Sequence, residues 1–78
     1  MFETSWLRAF ASFAEHKNFT HAARKLHVSQ PALFAQVQKL TEAAGTQLYK
    51  RVGRGIVLTE AGTRLAAFAK KNLAEQAA

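Results

Sequence analysis

Gln30, Gln38 and Lys39 lie on a segment, Ser29-Gln30-Pro31-Ala32-Leu33-Phe34-Ala35-Gln36-Val37-Gln38-Lys39-Leu40, that carries hydrogen-bonding side chains and no carboxylate. A glutamine amide holds a donor and an acceptor side by side and can bond adenine N6 and N7 together, worth about 1–3 kcal/mol of discrimination. The first turn of a helix is the place that brings such an amide close to a base edge. Ser29 can cap the open N–H groups of that turn, and Pro31 is tolerated there because the donor it lacks has no intrahelical partner. At about 100° per residue, Leu33, Val37, Leu40 and Ala44 fall on one face, while Pro31, Ala35, Gln38 and Glu42 fall opposite. The first face is expected to pack. The outer one is small and amide-bearing, is flanked by Phe34 and Lys39, and suits close approach to base edges in a groove about 12 Å wide.

The second group of chemistry-bearing residues is cationic. Between His16 and Leu58 lie Lys17, Arg24, Lys25, Lys39, Lys50, Arg51 and Arg54 against Glu42 alone, so the whole formal charge of +6 resides in this window. Outside it, Arg8, Arg64, Lys70 and Lys71 balance Glu3, Glu15, Glu60 and Glu75. A localised basic field favours a polyanion. Taken alone, the clustering also fits solvated charge that keeps a small domain soluble. Arg54, between Gly53 and Gly55, is placed at a hairpin tip, where it can reach a minor groove whose narrow A·T-rich tracts carry enhanced negative potential. The alternative is a solvated turn residue. Lys50 and Arg51 at the base of the hairpin, and Lys39 on the helix flank, are candidate phosphate clamps. The hydroxyls of Thr20 and Ser29 can cap a helix or meet a phosphate, and capping is the favoured role.

The elements that must position these groups are mostly helical. From about Ser5 to His16, Leu7, Phe10, Ala11 and Ala14 share a face flanked by Trp6 and Phe13, a broad stripe of the kind that faces a core. Lys17 and Asn18 make a short break. Thr20 is read as the cap of a second short helix through Ala22, Ala23 and Leu26, with Phe19 before it as a staple. His27 and Val28 give a tight connection to Ser29, so two short helices are joined as in a helix-turn-helix. The small pair Ala22 and Ala23 allows close approach. Gly45 supplies the left-handed stop of the long helix. Leu48 to Val52 and Ile56 to Leu58 read as short strands separated by Gly53-Arg54-Gly55. Thr59 caps a last helix through Leu65, Phe68 and Leu73. Gly62 weakens its first turn by about 1 kcal/mol relative to alanine, so a packing or steric reason for it is expected.

Seventy-eight residues make one domain with little room for an enclosed substrate site, which favours a binding module over an enzyme. There is no cysteine, which excludes disulfides, thiolate zinc sites and cysteine catalysis. His16, His21 and His27 show no ligand spacing with carboxylates, so neither metal nor cofactor is expected. Five glutamates, no aspartate and no Ser/His/Asp constellation leave nothing that resembles an active site. No apolar run approaches the roughly 18 residues of a membrane span and no signal peptide is visible, so a cytoplasmic location without membrane is expected. Trp6, Phe10, Phe13 and Phe19 lie on packing faces and are read as core rather than as a stacking platform for single strands.

Leu7-Arg8-Ala9-Phe10, Ala14-Glu15, Phe19-Thr20-His21-Ala22-Ala23, Leu26 to Leu33, and Gly53 to Gly62 resemble, in order and spacing, the N-terminal winged helix-turn-helix domain of LysR-type transcriptional regulators. The resemblance covers essentially the whole chain. It implies a mainly α fold: a winged helix-turn-helix DNA-binding domain over residues 1–58, with a small β-hairpin wing, and a C-terminal linker and dimerisation helix over 59–78. It implies a bacterial regulator that binds double-stranded DNA as a homodimer, with Gln30, Pro31, Phe34 and Ala35 nearest the bases. A co-inducer-binding domain normally follows in that family, so this chain is expected to be the DNA-binding part of a longer protein and to lack the effector domain.

Phe34 and Ala35 depart from the family pattern, where a serine followed by a basic residue is usual. Phenylalanine offers apolar contact with thymine methyls and alanine offers only closeness, which shifts reading toward methyl contacts and DNA shape. Phe34 can equally tuck against a neighbouring element as peripheral core. Gln38 stands where the family often has a basic residue, which weakens a contact there. On the last helix, Leu65, Phe68 and Asn72 advance by three and four along one seam, with Ala61 before and Ala69 and Leu73 beside it, for a partner helix to cover. Packing on the domain's own core is the alternative, most credible for Leu65. Antiparallel pairing of two such helices predicts an interrupted inverted repeat with half-sites about one helical turn apart, or a multiple of that. Two other function classes are compatible with the composition. One is a winged-helix protein-association module with non-specific DNA affinity; the other is a membrane-surface amphipathic protein.

Overall fold

The computed structural model describes residues 2–77, with side chains described through residue 74; Met1 and Ala78, the outer ends of the two expected segments, lie outside the described residues. Helix α1 (Thr4–His16) buries Leu7, Phe10 and Phe13, spaced three apart, together with Ala9 and Ser12. Ser12 satisfies its hydroxyl by donating to the Ala22 carbonyl at 3.3 Å. Lys17 ends the helix in the left-handed conformation, its N–H bonded to the Phe13 carbonyl at 2.6 Å.

Helix α2 (Phe19–Leu26) starts two residues earlier than a Thr20 cap requires. Asn18 is the cap: its side-chain oxygen accepts the His21 N–H at 2.9 Å, and Thr20 lies inside the helix. Phe19 is therefore the first helical residue rather than a staple preceding the cap. Its buried ring stacks on Phe13 with centroids 4.2 Å apart. That contact fixes where the helix begins, because a start at Thr20 would release Phe19 from the core. Ala22 and Ala23 are both buried, as close approach of helices requires.

The turn into α3 (Gln30–Ala44) is made by His27 at φ 58°, with the Val28 N–H reaching back to the Ala23 carbonyl at 3.0 Å. This is a Schellman-type closure without glycine. Leu33, Val37 and Leu40 are fully buried, as their shared face predicts, and Gly45 closes the helix at φ 73°.

Strands β1 (Tyr49–Val52) and β2 (Gly55–Leu58) pair antiparallel with Tyr49 opposite Leu58, Lys50 opposite Val57, Arg51 opposite Ile56 and Val52 opposite Gly55. The loop is thus only Gly53-Arg54, with Gly53 at φ 60°. A glycine with positive φ at the first central position is the type II′ pattern, whose twist suits a hairpin. Leu48 precedes the strand instead of belonging to it, and is buried.

Helix α4 (Glu60–Ala77) is capped by Thr59, whose hydroxyl oxygen accepts the Gly62 N–H at 3.0 Å. Thr59 is itself pinned: its N–H donates to the Leu48 carbonyl at 3.1 Å and its hydroxyl to the Gln47 carbonyl at 2.7 Å. Phe10, Phe13, Leu33, Val37, Leu40 and Leu48 form the centre of the core, and Ala69 of α4 is fully buried against it.

Candidate nucleic-acid interface

The start of α3 is built by its own sequence. Ser29 Oγ accepts the Ala32 N–H at 3.2 Å, and Pro31 occupies the first turn without forfeiting a bond. With Leu33, Val37 and Leu40 turned inward, Gln30, Pro31, Phe34, Ala35, Gln38 and Lys39 are all exposed, so the expected outer face exists as one surface. Helix α3 is also the second member of a helix-turn-helix, its N-terminus beside the first turn of α2. The Thr20 hydroxyl donates to Gln30 Oε1 at 3.0 Å across that junction.

Phe34 meets neither of its two alternatives alone. Its ring packs edge-on against Phe19, with centroids 5.4 Å apart, yet 41% of the residue remains exposed. Phe19 in turn touches Phe13 and Tyr49, so the exposed ring is anchored through an aromatic cluster spanning α1, α2, α3 and β1. A side chain held in this way presents a rigid apolar edge beside Gln30 at little entropic cost.

In the wing, Arg54 is exposed at the tip of the two-residue loop. Lys50 and Arg51 are both exposed, but they cannot act as a pair. Successive strand residues point to opposite faces, so Arg51 shares a face with half-buried Ile56 while Lys50 shares one with exposed Val57. Among the described residues the one ion pair is Arg64 with Glu60 on α4, at 2.6 Å. The cations of α2, α3 and the wing thus have no carboxylate partner among the described residues, and they are exposed to solvent.

The structure adds residues that sequence reasoning missed. Asn18, as good a cap as threonine, was legible as a competitor for Thr20. Val28, 38% exposed in the turn beside Ser29, had no signal of its own. Around the end of α1 and the outer side of α2, His16, His21, Arg24, Lys25 and His27 line an open depression of about 450 Å³. The His16 and His21 rings are 6.3 Å apart, and among the described residues no three His, Cys, Asp or Glu side chains are grouped to hold a metal ion.

On α4 one expectation is corrected. Ala69 is fully buried and unavailable to a partner helix, because it lies seven residues after Gly62 on the stripe that also carries Ala66. Leu65 is half-buried against the core, whereas Phe68 is 49% exposed and borders a depression of about 350 Å³ with Phe2, Thr46, Ala61 and Leu65. Asn72 and Leu73 are half-buried one turn further on. No helix among the described residues is long and apolar enough to cross a membrane.

The lysR family of bacterial regulatory helix-turn-helix proteins matches residues 4–63, from the first residue of α1 into the first turn of α4. The chain belongs to this family. LysR-family proteins are transcriptional regulators and not enzymes. The chain is 50% identical over 60 residues to the HTH-type transcriptional regulator BudR of Raoultella terrigena, covering 77% of this chain and 21% of that protein. It spans less than half the length of the first curated relatives it matches. The fold superposes on the DNA-binding domain of BenM in complex with catB site 1 DNA at a TM-score of 0.87, with 38% identity over 94% of this chain and 82% of that one. On the DNA-binding domain of CbnR in its DNA complex the TM-score is 0.88, with 39% identity over 96% and 86%. The mainly helical order, the hairpin wing and the C-terminal helix are those of a LysR-family winged helix-turn-helix domain.

Proposed function

We propose that this chain is a sequence-specific reader of double-stranded DNA that regulates transcription in the bacterial cytoplasm, with the start of α3 in the major groove and the wing tip in the adjacent minor groove. The observation that carries this reading is the surface shared by α3 and the wing: a capped helix start bearing Gln30, Pro31, Phe34 and Ala35, beside cations with no carboxylate partner among the described residues. The DNA complexes of the BenM and CbnR domains, close to this fold, support it. Gln30 is assigned to base edges, Phe34 to thymine methyls, Arg54 to the minor groove, and Lys39, with whichever of Lys50 and Arg51 lies on the face of the hairpin turned to the duplex, to phosphates, with Gln38 and Ser29 at the margin of the contact.

Residues 60–77 form the linker helix, whose first turns are anchored in the core and whose Phe68 flank, with Asn72 and Leu73, pairs with a second copy. Two readers related by that pairing bind an interrupted inverted repeat. In the full-length regulator an effector domain adds the response to a small molecule.

Selection of binding sites from a random duplex library, followed by titration of the winner against scrambled DNA at two salt concentrations, tests this reading. Recovery of an inverted repeat preferred at both salts is the expected result, with affinity falling steeply as salt rises. Dimerisation without any enriched sequence would replace it with a protein-association role for α4.

A further inference from the structure

The hydroxyl of Thr20 and the amide of Gln30 meet at 3.0 Å, joining the first turn of α2 to the first residue of α3. We infer that Thr20 is a positioning residue that holds the Gln30 carbonyl toward α2 and turns its NH2 end outward. The domain therefore selects, at the position Gln30 reads, a base that offers acceptors in the major groove. This rests on the reading that α3 enters that groove.

The two ends of a glutamine amide are chemically opposite, and the torsion that exchanges them is soft and roughly two-fold. An unheld Gln30 would offer either end, including the donor-plus-acceptor edge that matches adenine. Here Oε1 already accepts the Thr20 hydroxyl on the protein side, which leaves the two Nε2 hydrogens as the groups facing away from α2. The backbone on either side of the junction is set by the caps, Asn18 for α2 and Ser29 for α3.

Guanine presents N7 and O6, both acceptors; adenine pairs its N7 acceptor with the N6 donor; cytosine presents a donor. A donor-only edge matches guanine, meets adenine at one atom and opposes cytosine. A threonine has one O–H to give, so in this arrangement Thr20 is not a donor to phosphate.

The test is competitive binding of the 78-residue chain to its selected duplex with each base in turn at every position, for the wild type and for Gln30→Ala, Thr20→Val and Thr20→Ser. Gln30→Ala identifies the position read, as the one where preference collapses. There the wild type and Thr20→Ser are expected to favour guanine over adenine by on the order of ten-fold, and Thr20→Val to bring the two bases nearly level. A Thr20→Val loss of equal size on all four bases would make Thr20 a phosphate or packing residue and overturn the inference. A wild-type preference for adenine or cytosine at that position would overturn it as well. If Thr20→Val changes nothing while Gln30→Ala relaxes one position, the positioning role fails and base reading by α3 stands. If Gln30→Ala relaxes no position, base reading at the start of α3 fails, and this inference with it.

Discussion

Leu48 and Gly62 are in backbone contact: a β-carbon placed on Gly62 would overlap the Leu48 carbonyl oxygen. That carbonyl also accepts the Thr59 N–H, so one peptide group receives the end of the wing and the first turn of α4 together. Glycine is needed at 62 for its lack of volume. Gly62→Ala is expected to destabilise the domain by about 1–3 kcal/mol although alanine is the better helix former by about 1 kcal/mol. For a domain of this size the melting temperature should fall by roughly 4–8 °C per kcal/mol. Ala67→Gly, at an exposed position of the same helix, should cost only about 1 kcal/mol. A rise in melting temperature for Gly62→Ala would disprove the close approach.

The start of α2 gives a second prediction. Asn18→Ala removes the acceptor of the His21 N–H and should cost about 1 kcal/mol, visible in thermal melts. Thr20→Ala removes an exposed hydrogen bond between side chains and should cost less. The reverse order would restore Thr20 as the cap.

Sequence alone reached most of this fold because its punctuation is strong. Ser29 with Pro31, Gly45, Thr59 and the Gly53-Arg54-Gly55 tip each mark a boundary by a local mechanism, and each boundary stands within a residue or so of its expected place. What stayed hidden was decided by tertiary contact. Asn18 and Thr20 are competing caps two residues apart, and the burial of Phe19 on Phe13 chooses between them. His27 adopts a left-handed turn with no glycine to announce it. On α4 the period tells which residues share a face but not which face meets the core. Gly62 held that answer, since its contact with Leu48 turns Ala66 and Ala69 inward and leaves Phe68 on the flank. For the proposed interface, residue types were legible but partnerships such as Thr20 with Gln30, ten residues apart, were not.

The wing separates its cations by face, which predicts unequal roles. Lys50 and Arg51 point to opposite sides of the hairpin, so substituting each by alanine should lower the slope of log affinity against log salt by about 1 for one of them and leave it nearly unchanged for the other. Arg54→Ala should cost most on sites with A·T-rich flanks, where the narrow minor groove attracts a guanidinium. Equal losses for Arg54→Ala on A·T-rich and G·C-rich flanks would reduce it to a phosphate contact.

Phe68 and Ala69 are adjacent in sequence and opposite in environment, and the contrast tests the proposed pairing of two copies. Phe68 is about half exposed beside Phe2 and Leu65, so Phe68→Glu should leave the melting temperature of the domain nearly unchanged while shifting sedimentation equilibrium toward monomer. Its affinity for an inverted repeat should then approach its affinity for a single half-site, because the second reader is no longer tethered to the first. Ala69→Glu instead places an unpaired carboxylate at a fully buried position, and should unfold the domain rather than dissociate a dimer. If Phe68→Glu leaves both the dimer and the inverted-repeat affinity intact, the pairing surface lies elsewhere on α4, and the half-depth position of Leu73 makes the last turns the next place to substitute.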